Sequence, residues 1–102
     1  MQKIETYPNI MKAYLTMESC NGGLFRGRSQ EEACRETDPI IGADGVTHDD
    51  LVQIDEWLQT LSEDEVLDFV DGDIDELQIK LTTWNNPIAN KANGLFEDLF
   101  NG

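Results

Sequence analysis

Between Glu36 and Ile79 the chain carries fifteen carboxylates and no lysine or arginine. Lysine and arginine make up about half of the ~25% charged residues usual in globular domains, so about five cations are expected in such a window. The flanks are balanced: residues 1–35 hold five cations against four carboxylates, and residues 80–102 hold two of each. The net charge of −14 therefore sits in the middle of the chain. Three arrangements accommodate such a window: a calcium loop, a series of helix starts, or a surface that presents charge to a partner.

The pattern of apolar residues favours helices. Thr47 followed by Asp50 has capping-box spacing, and Leu51, Ile54, Leu58 and Leu61 behind it form one stripe. Ser62 with Glu65 starts a second helix carrying Val66, Leu67, Phe69 and Val70. Asp73 with Glu76 starts a third, with Ile74, Leu77, Leu81 and Trp84 inward. Asn86–Pro87 ends it and opens a last helix with Ile88, Ala92, Leu95 and Leu99 inward. Gly94 weakens that helix by about 1 kcal/mol relative to alanine. Upstream, Ser29 with Glu32 opens a short helix that the Asp38–Pro39 pair is expected to stop.

The N-terminal part has two readings. Ile10, Met11, Tyr14 and Leu15 have helical spacing after Pro8. Leu15 and Met17, alternating with Thr16 and Glu18 ahead of Asn21–Gly22, also fit a strand entering a hairpin turn. The expected fold is thus mainly α, a single domain over residues 1–102, with α+β through a short N-terminal β-hairpin as the alternative. Its parts are a near-neutral 1–35, an acidic helical 36–79 and a C-terminal helix in 80–102. A hydrophobic fraction of 39% suffices for a modest core. The N-terminus has no apolar signal-peptide core and no stretch approaches the ~20 apolar residues of a membrane span, so a cytoplasmic protein is expected.

The calcium loop fails on spacing. Counting from Asp71, Asp73 and Asp75 fit, but Glu76 stands where the loop needs glycine and Thr82 where it needs glutamate. Aligning Asp44–Gly45 instead puts Leu51 at the glutamate position. Helix starts explain more, because carboxylates there complement free N–H groups and the helix dipole. Asp49, Asp50, Glu63, Asp64, Glu65, Asp73, Asp75 and Glu76 fall at such places, and Asp38 and Asp44 are ordinary turn residues. Glu36, Asp55, Glu56, Asp68 and Asp71 are unexplained, as is the lack of cations. Asp64 and Asp68 also repel at four-residue spacing, where a lysine would have helped.

No catalytic constellation is present. His48, the single histidine, is expected to be an exposed bystander in a helix's first turn. Cys20, Cys34 and His48 lack zinc-clamp spacing, and the cysteines serve as small apolar side chains. The segment CNGGLFRG lacks the Gly-Lys-Ser/Thr ending of a phosphate loop. Trp57 and Trp84 lie beside apolar stripes and belong to the core rather than to a base-stacking platform. No cofactor or metal site is expected, nor an enzyme.

The charge points instead to a basic partner. Duplex DNA carries about one phosphate per 1.7 Å of axis, and proteins that bind it display lysine and arginine stripes. A helical surface of carboxylates can occupy such a stripe. In size and charge pattern the chain resembles the small acidic DNA-mimic proteins of phages and mobile elements, including anti-restriction and anti-CRISPR proteins. The resemblance covers mainly residues 36–79, and because that class has no common fold it assigns no residue a role. It implies an inhibitor that occludes the DNA or RNA site of a basic nucleic-acid-binding protein. Neither direct nucleic-acid nor membrane binding is expected. The face expected to carry it comprises Asp49 and Glu56, with Asp55 beside them, Asp64 and Asp68 on the next helix, and Asp71 in the following turn. The alternative is a small acidic adaptor or phage assembly protein that binds its partner through a helical surface.

Overall fold

The computed structural model of the chain describes residues 3–20, 29–41, 45–70 and 74–101 (the side chains of 19, 20, 74, 100 and 101 aside). These residues form a mainly helical fold, with no strand among them. A 3-10 turn, Ile4–Thr6, leads into α1 (Pro8–Cys20). Then come α2 (Gln30–Ile41), α3 (His48–Gln59), α4 (Glu63–Val70), α5 (Ile74–Trp84) and α6 (Ala89–Asn101).

Helix α1 settles the N-terminal ambiguity. It runs unbroken through Leu15, Thr16 and Met17, so the alternating pattern there is not a strand and the hairpin is not formed. The helical stripe buries more: Ile10, Ala13, Tyr14 and Met17 are all inside, one face at three- and four-residue spacing. The strand reading arose from residues lying partly on two faces, since Leu15 is only partly buried. The Asn21–Gly22 turn lies outside the described residues.

Helix α2 also departs from expectation. It continues through Pro39 to Ile41 instead of stopping before Asp38. Proline removes one helical hydrogen bond and disfavours the helical conformation at the preceding residue. Tertiary contacts outweigh that local cost. Ile41 is completely buried on the same face as Ala33, Cys34 and Thr37, and the Asp38 carboxylate accepts the Ile4 N–H at 3.2 Å, fastening α2 to the 3-10 turn.

The two central starts form as their sequences imply. The Thr47 hydroxyl accepts the Asp50 N–H at 3.2 Å, and Asp50 in return accepts the Thr47 N–H at 3.1 Å. Ser62 and Glu65 make the same reciprocal pair, at 3.2 and 3.1 Å. Ser29 accepts the Glu32 N–H at 3.1 Å. Asp73, expected to cap α5, lies outside the described residues. Helix α5 ends at Trp84, and the next residue, Asn85, has a φ of 51°, the left-handed conformation asparagine tolerates after a helix.

Helix α1 packs against α3, α4 and α6, while α4 and α6 both pack on α5. The core joins Ile10 and Tyr14 of α1 to Leu51 and Ile54 of α3, Phe69 and Val70 of α4, Leu77 and Leu81 of α5, and Ala92, Leu95, Phe96 and Leu99 of α6. Trp57 is buried and stacks on half-buried Trp84, ring centroids 4.9 Å apart. Both tryptophans therefore serve the α3–α5 junction, as the apolar stripes implied.

Candidate protein-binding face

Five of the six carboxylates expected on the partner-binding face can be located. Asp49, at the start of α3, is exposed, as are Glu56 further along that helix and Asp64 in the first turn of α4. None of these three has an ion-pair partner among the described residues. Asp71 lies outside the described residues.

Asp55 is different. It does not point outward beside Glu56; its carboxylate reaches across to the start of α1. One oxygen accepts the N–H groups of Asn9 and Ile10, at 2.8 and 3.0 Å, and the other accepts the Asn9 side-chain amide at 3.1 Å. Helix starts leave unsatisfied N–H groups, and α1 follows Tyr7, whose side chain cannot cap in the manner of serine or aspartate. The Tyr7 N–H goes to Ile4 O, Pro8 has none, and the Met11 N–H already bonds to Tyr7 O. Asn9 and Ile10 hold the two that need a partner, and Asp55 supplies it.

Asp68 is also occupied in part. Its carboxylate lies 3.7 Å from the Lys80 ammonium, which stands 3.4 Å from Glu76 as well. The Lys80 side chain is only 11% exposed, so its stem is packed while its head joins α4 to α5. Lysines from the flanks reach the acidic window elsewhere too. Lys91 of α6 bonds Asp50 at 3.0 Å, and Lys12 of α1 lies 3.4 Å from Glu63, with both side chains largely exposed. The hydrogen bond from Lys91, followed by that from the Thr47 backbone, holds the Asp50 carboxyl below the ordinary carboxylate range.

His48 is more than a bystander. Although exposed, its Nδ1 lies 2.8 Å from the hydroxyl of buried Tyr7. Burial, and secondarily the charge of Asp55, pushes the Tyr7 phenol above its ordinary value. A tyrosine phenol carries its proton at neutral pH, and it can donate that proton to Nδ1 in the tautomer whose Nδ1 bears no hydrogen. Cys34 is buried, and burial first, then Glu5 and Asp38, push its thiol up. It is poorly suited to act as a thiolate nucleophile. Among the described residues no group of three histidine, cysteine or acidic side chains is arranged to hold a metal ion, and no helix is long and apolar enough to cross a membrane.

The sequence reading missed one surface feature. Leu67, one of the four apolar residues that α4 carries, is 41% exposed. Helical spacing contained the signal: Val66, Phe69 and Val70 share a face at three and four residues, and Leu67 stands about 100° of turn away from Val66. Leu67 and Val66 line an open groove of about 340 Å³ between α4, α1 and the end of α3.

Compared with known proteins, the chain matches no family model, no curated protein and no solved structure. The class defined by fold and face is a small, mainly helical protein with an outward acidic surface on α3 and α4.

Proposed function

We propose that this protein is a non-enzymatic inhibitor of DNA-mimic type, which binds a basic nucleic-acid-binding protein and occludes its DNA or RNA site. An anti-defence role for a phage, against restriction or CRISPR systems in the host cytoplasm, fits that chemistry. One observation carries the reading: Asp49, Glu56 and Asp64 are exposed on two consecutive helices without ion-pair partners among the described residues, although lysines have been recruited to Asp50, Glu63, Asp68 and Glu76. Exposed, unmatched carboxylates attract a basic channel at long range and release the ions held around both surfaces on contact.

The test is capture of targets from a host lysate after nuclease treatment, followed by competition with duplex DNA. Capture should survive DNA removal, yield to added DNA and weaken steeply from low to moderate salt. The triple variant Asp49→Asn, Glu56→Gln, Asp64→Asn should lose the captured target. Affinity unchanged by those three substitutions would remove the acidic face from the interaction.

A second reading, a small acidic adaptor or phage assembly protein, draws support from exposed Leu67 and the groove beside it. Under it, apolar contact supplies the affinity and salt has little effect.

A further inference from the structure

We infer that the groove between α1 and α4 receives one large apolar side chain from a basic amphipathic helix of a protein partner. The inference builds on the reading that the acidic face meets a basic protein, and it names the anchor. The groove's apolar lining comes from Ala13 of α1, Leu58 of α3, Leu61 of the link to α4, and Val66 and Leu67 of α4. Its volume, about 340 Å³, lies at the lower end of the ~300–1,000 Å³ of ligand pockets. It suits a side chain inserted from above rather than a whole helix.

The surroundings specify the partner's charge. Glu63 and Asp64 stand one turn before Leu67 on α4, and Glu56 stands one turn before Gln59, which also lines the groove. Lys12 is the cation in its wall, and its contact with Glu63 is exposed at both ends (68% and 84%). Such a pair is weak, so a partner's lysine or arginine can replace Lys12 at Glu63. A second copy of this chain would bring a net charge of −14 against −14, and the repulsion argues against it. The described residues offer no strand edge for an extended peptide to join. A helix laid over the groove, with an apolar anchor pointing down and cations alongside, fits best.

The full chain, labelled with ¹⁵N, would be titrated with a synthetic helix-forming peptide of alanine and lysine carrying one central phenylalanine. The same peptide with serine in place of phenylalanine, and oligolysine of equal charge, serve as controls. The phenylalanine peptide should bind at least tenfold more tightly than the serine peptide, with amide shifts concentrated at Ala13, Thr16, Val66 and Leu67. Leu67→Gln, at an exposed helical position, should abolish that preference while oligolysine affinity is unchanged. Equal binding of the two peptides, or a preference that persists in Leu67→Gln or maps elsewhere, overturns the groove and leaves the acidic face standing. Failure of both peptides and oligolysine to bind overturns the acidic-face reading together with the groove. A dimer in sedimentation that Leu67→Gln dissolves would assign the groove to a second copy and overturn the proposal.

Discussion

Asp55 and Glu56 are neighbours on one helix and equal in charge, yet the structure predicts opposite consequences for losing them. Asp55 satisfies both backbone N–H groups at the start of α1 that lack another partner, and its second oxygen holds the Asn9 amide. Hydrogen bonds to a charged group contribute about 1.5–3 kcal/mol each, and an anion at a helix start adds about 0.3–2 kcal/mol. The contributions overlap, and water can reach part of the vacated site. Asp55→Ala should therefore cost about 3 kcal/mol, a large share of the ~5–15 kcal/mol typical of a domain. Asp55→Asn retains one acceptor oxygen but loses the charge and sets one amide N–H₂ against that of Asn9, so it should cost about 1–2 kcal/mol. Glu56→Gln, at an exposed site, should stay within about 0.5 kcal/mol of the parent. Urea unfolding followed by far-UV circular dichroism would resolve the three, since 3 kcal/mol moves the midpoint by roughly 2 M at a typical slope of ~1.5 kcal/mol/M. Hydrogen exchange at the Asn9 and Ile10 amides should accelerate selectively in Asp55→Ala. If Asp55→Ala is as mild as Glu56→Gln and those two amides keep their protection, the cross-chain cap contributes nothing and the reasoning is wrong.

Two further outcomes follow from the other charges. The Asp50 carboxyl is held low in the folded state by Lys91 and Thr47, so its contribution is present above the unfolded carboxylate value and lost as pH falls through the folded one. Lys91→Met should thus cost about 0.5–1 kcal/mol at neutral pH and progressively less in acid, a convergence that parallel urea titrations at several pH values would test; a cost that grew in acid would reverse the assignment. Thermal unfolding should be the same with and without EDTA, because the described acidic and Cys/His side chains offer no metal site; a fall of several degrees on chelation would show otherwise.

What the sequence revealed and what it concealed differ by range. Thr47 with Asp50 and Ser62 with Glu65 are caps whose partners lie three residues away, and both form as written. The cap of α1 has its acceptor 46 residues downstream of Asn9, and no window along the chain contains both. The same is true of Lys91 and Asp50, 41 residues apart. Pro39 and Asp38 signal a helix end correctly as local chemistry, yet burial of Ile41 and the bond to Ile4 override them. Ile4, Tyr7 and Phe96 lie fully inside, the first two in a segment without a regular apolar period. For the face itself, exposure of Asp49, Glu56 and Asp64 followed from helical spacing, whereas the inward turn of Asp55 and the pairing of Asp68 depended on how helices meet.

That redistribution changes the argument about the acidic window rather than dissolving it. Five carboxylates appeared unexplained by capping: Glu36, Asp55, Glu56, Asp68 and Asp71. Asp55 now has a structural task, Asp68 has Lys80, and Glu36 too has a partner. Glu56 alone stays spare among those described. Conversely, Asp49 and Asp64, which also stand at helix starts, accept no cap hydrogen bond from the described residues; Thr47 and Ser62 supply the caps. Their benefit to the fold is through the helix dipole, about 0.3–1 kcal/mol each, and that benefit does not require them to be hidden. Charge at the outer rim of a helix start can therefore stabilise the fold and face a partner at once. Capping and partner recognition are not rival explanations for these two residues. In the triple variant a modest loss of stability accompanies any loss of binding, and Glu56→Gln, which touches no helix start, separates them. If Glu56→Gln weakens target binding while its unfolding midpoint stays in place, the deficit belongs to the face and not to the fold.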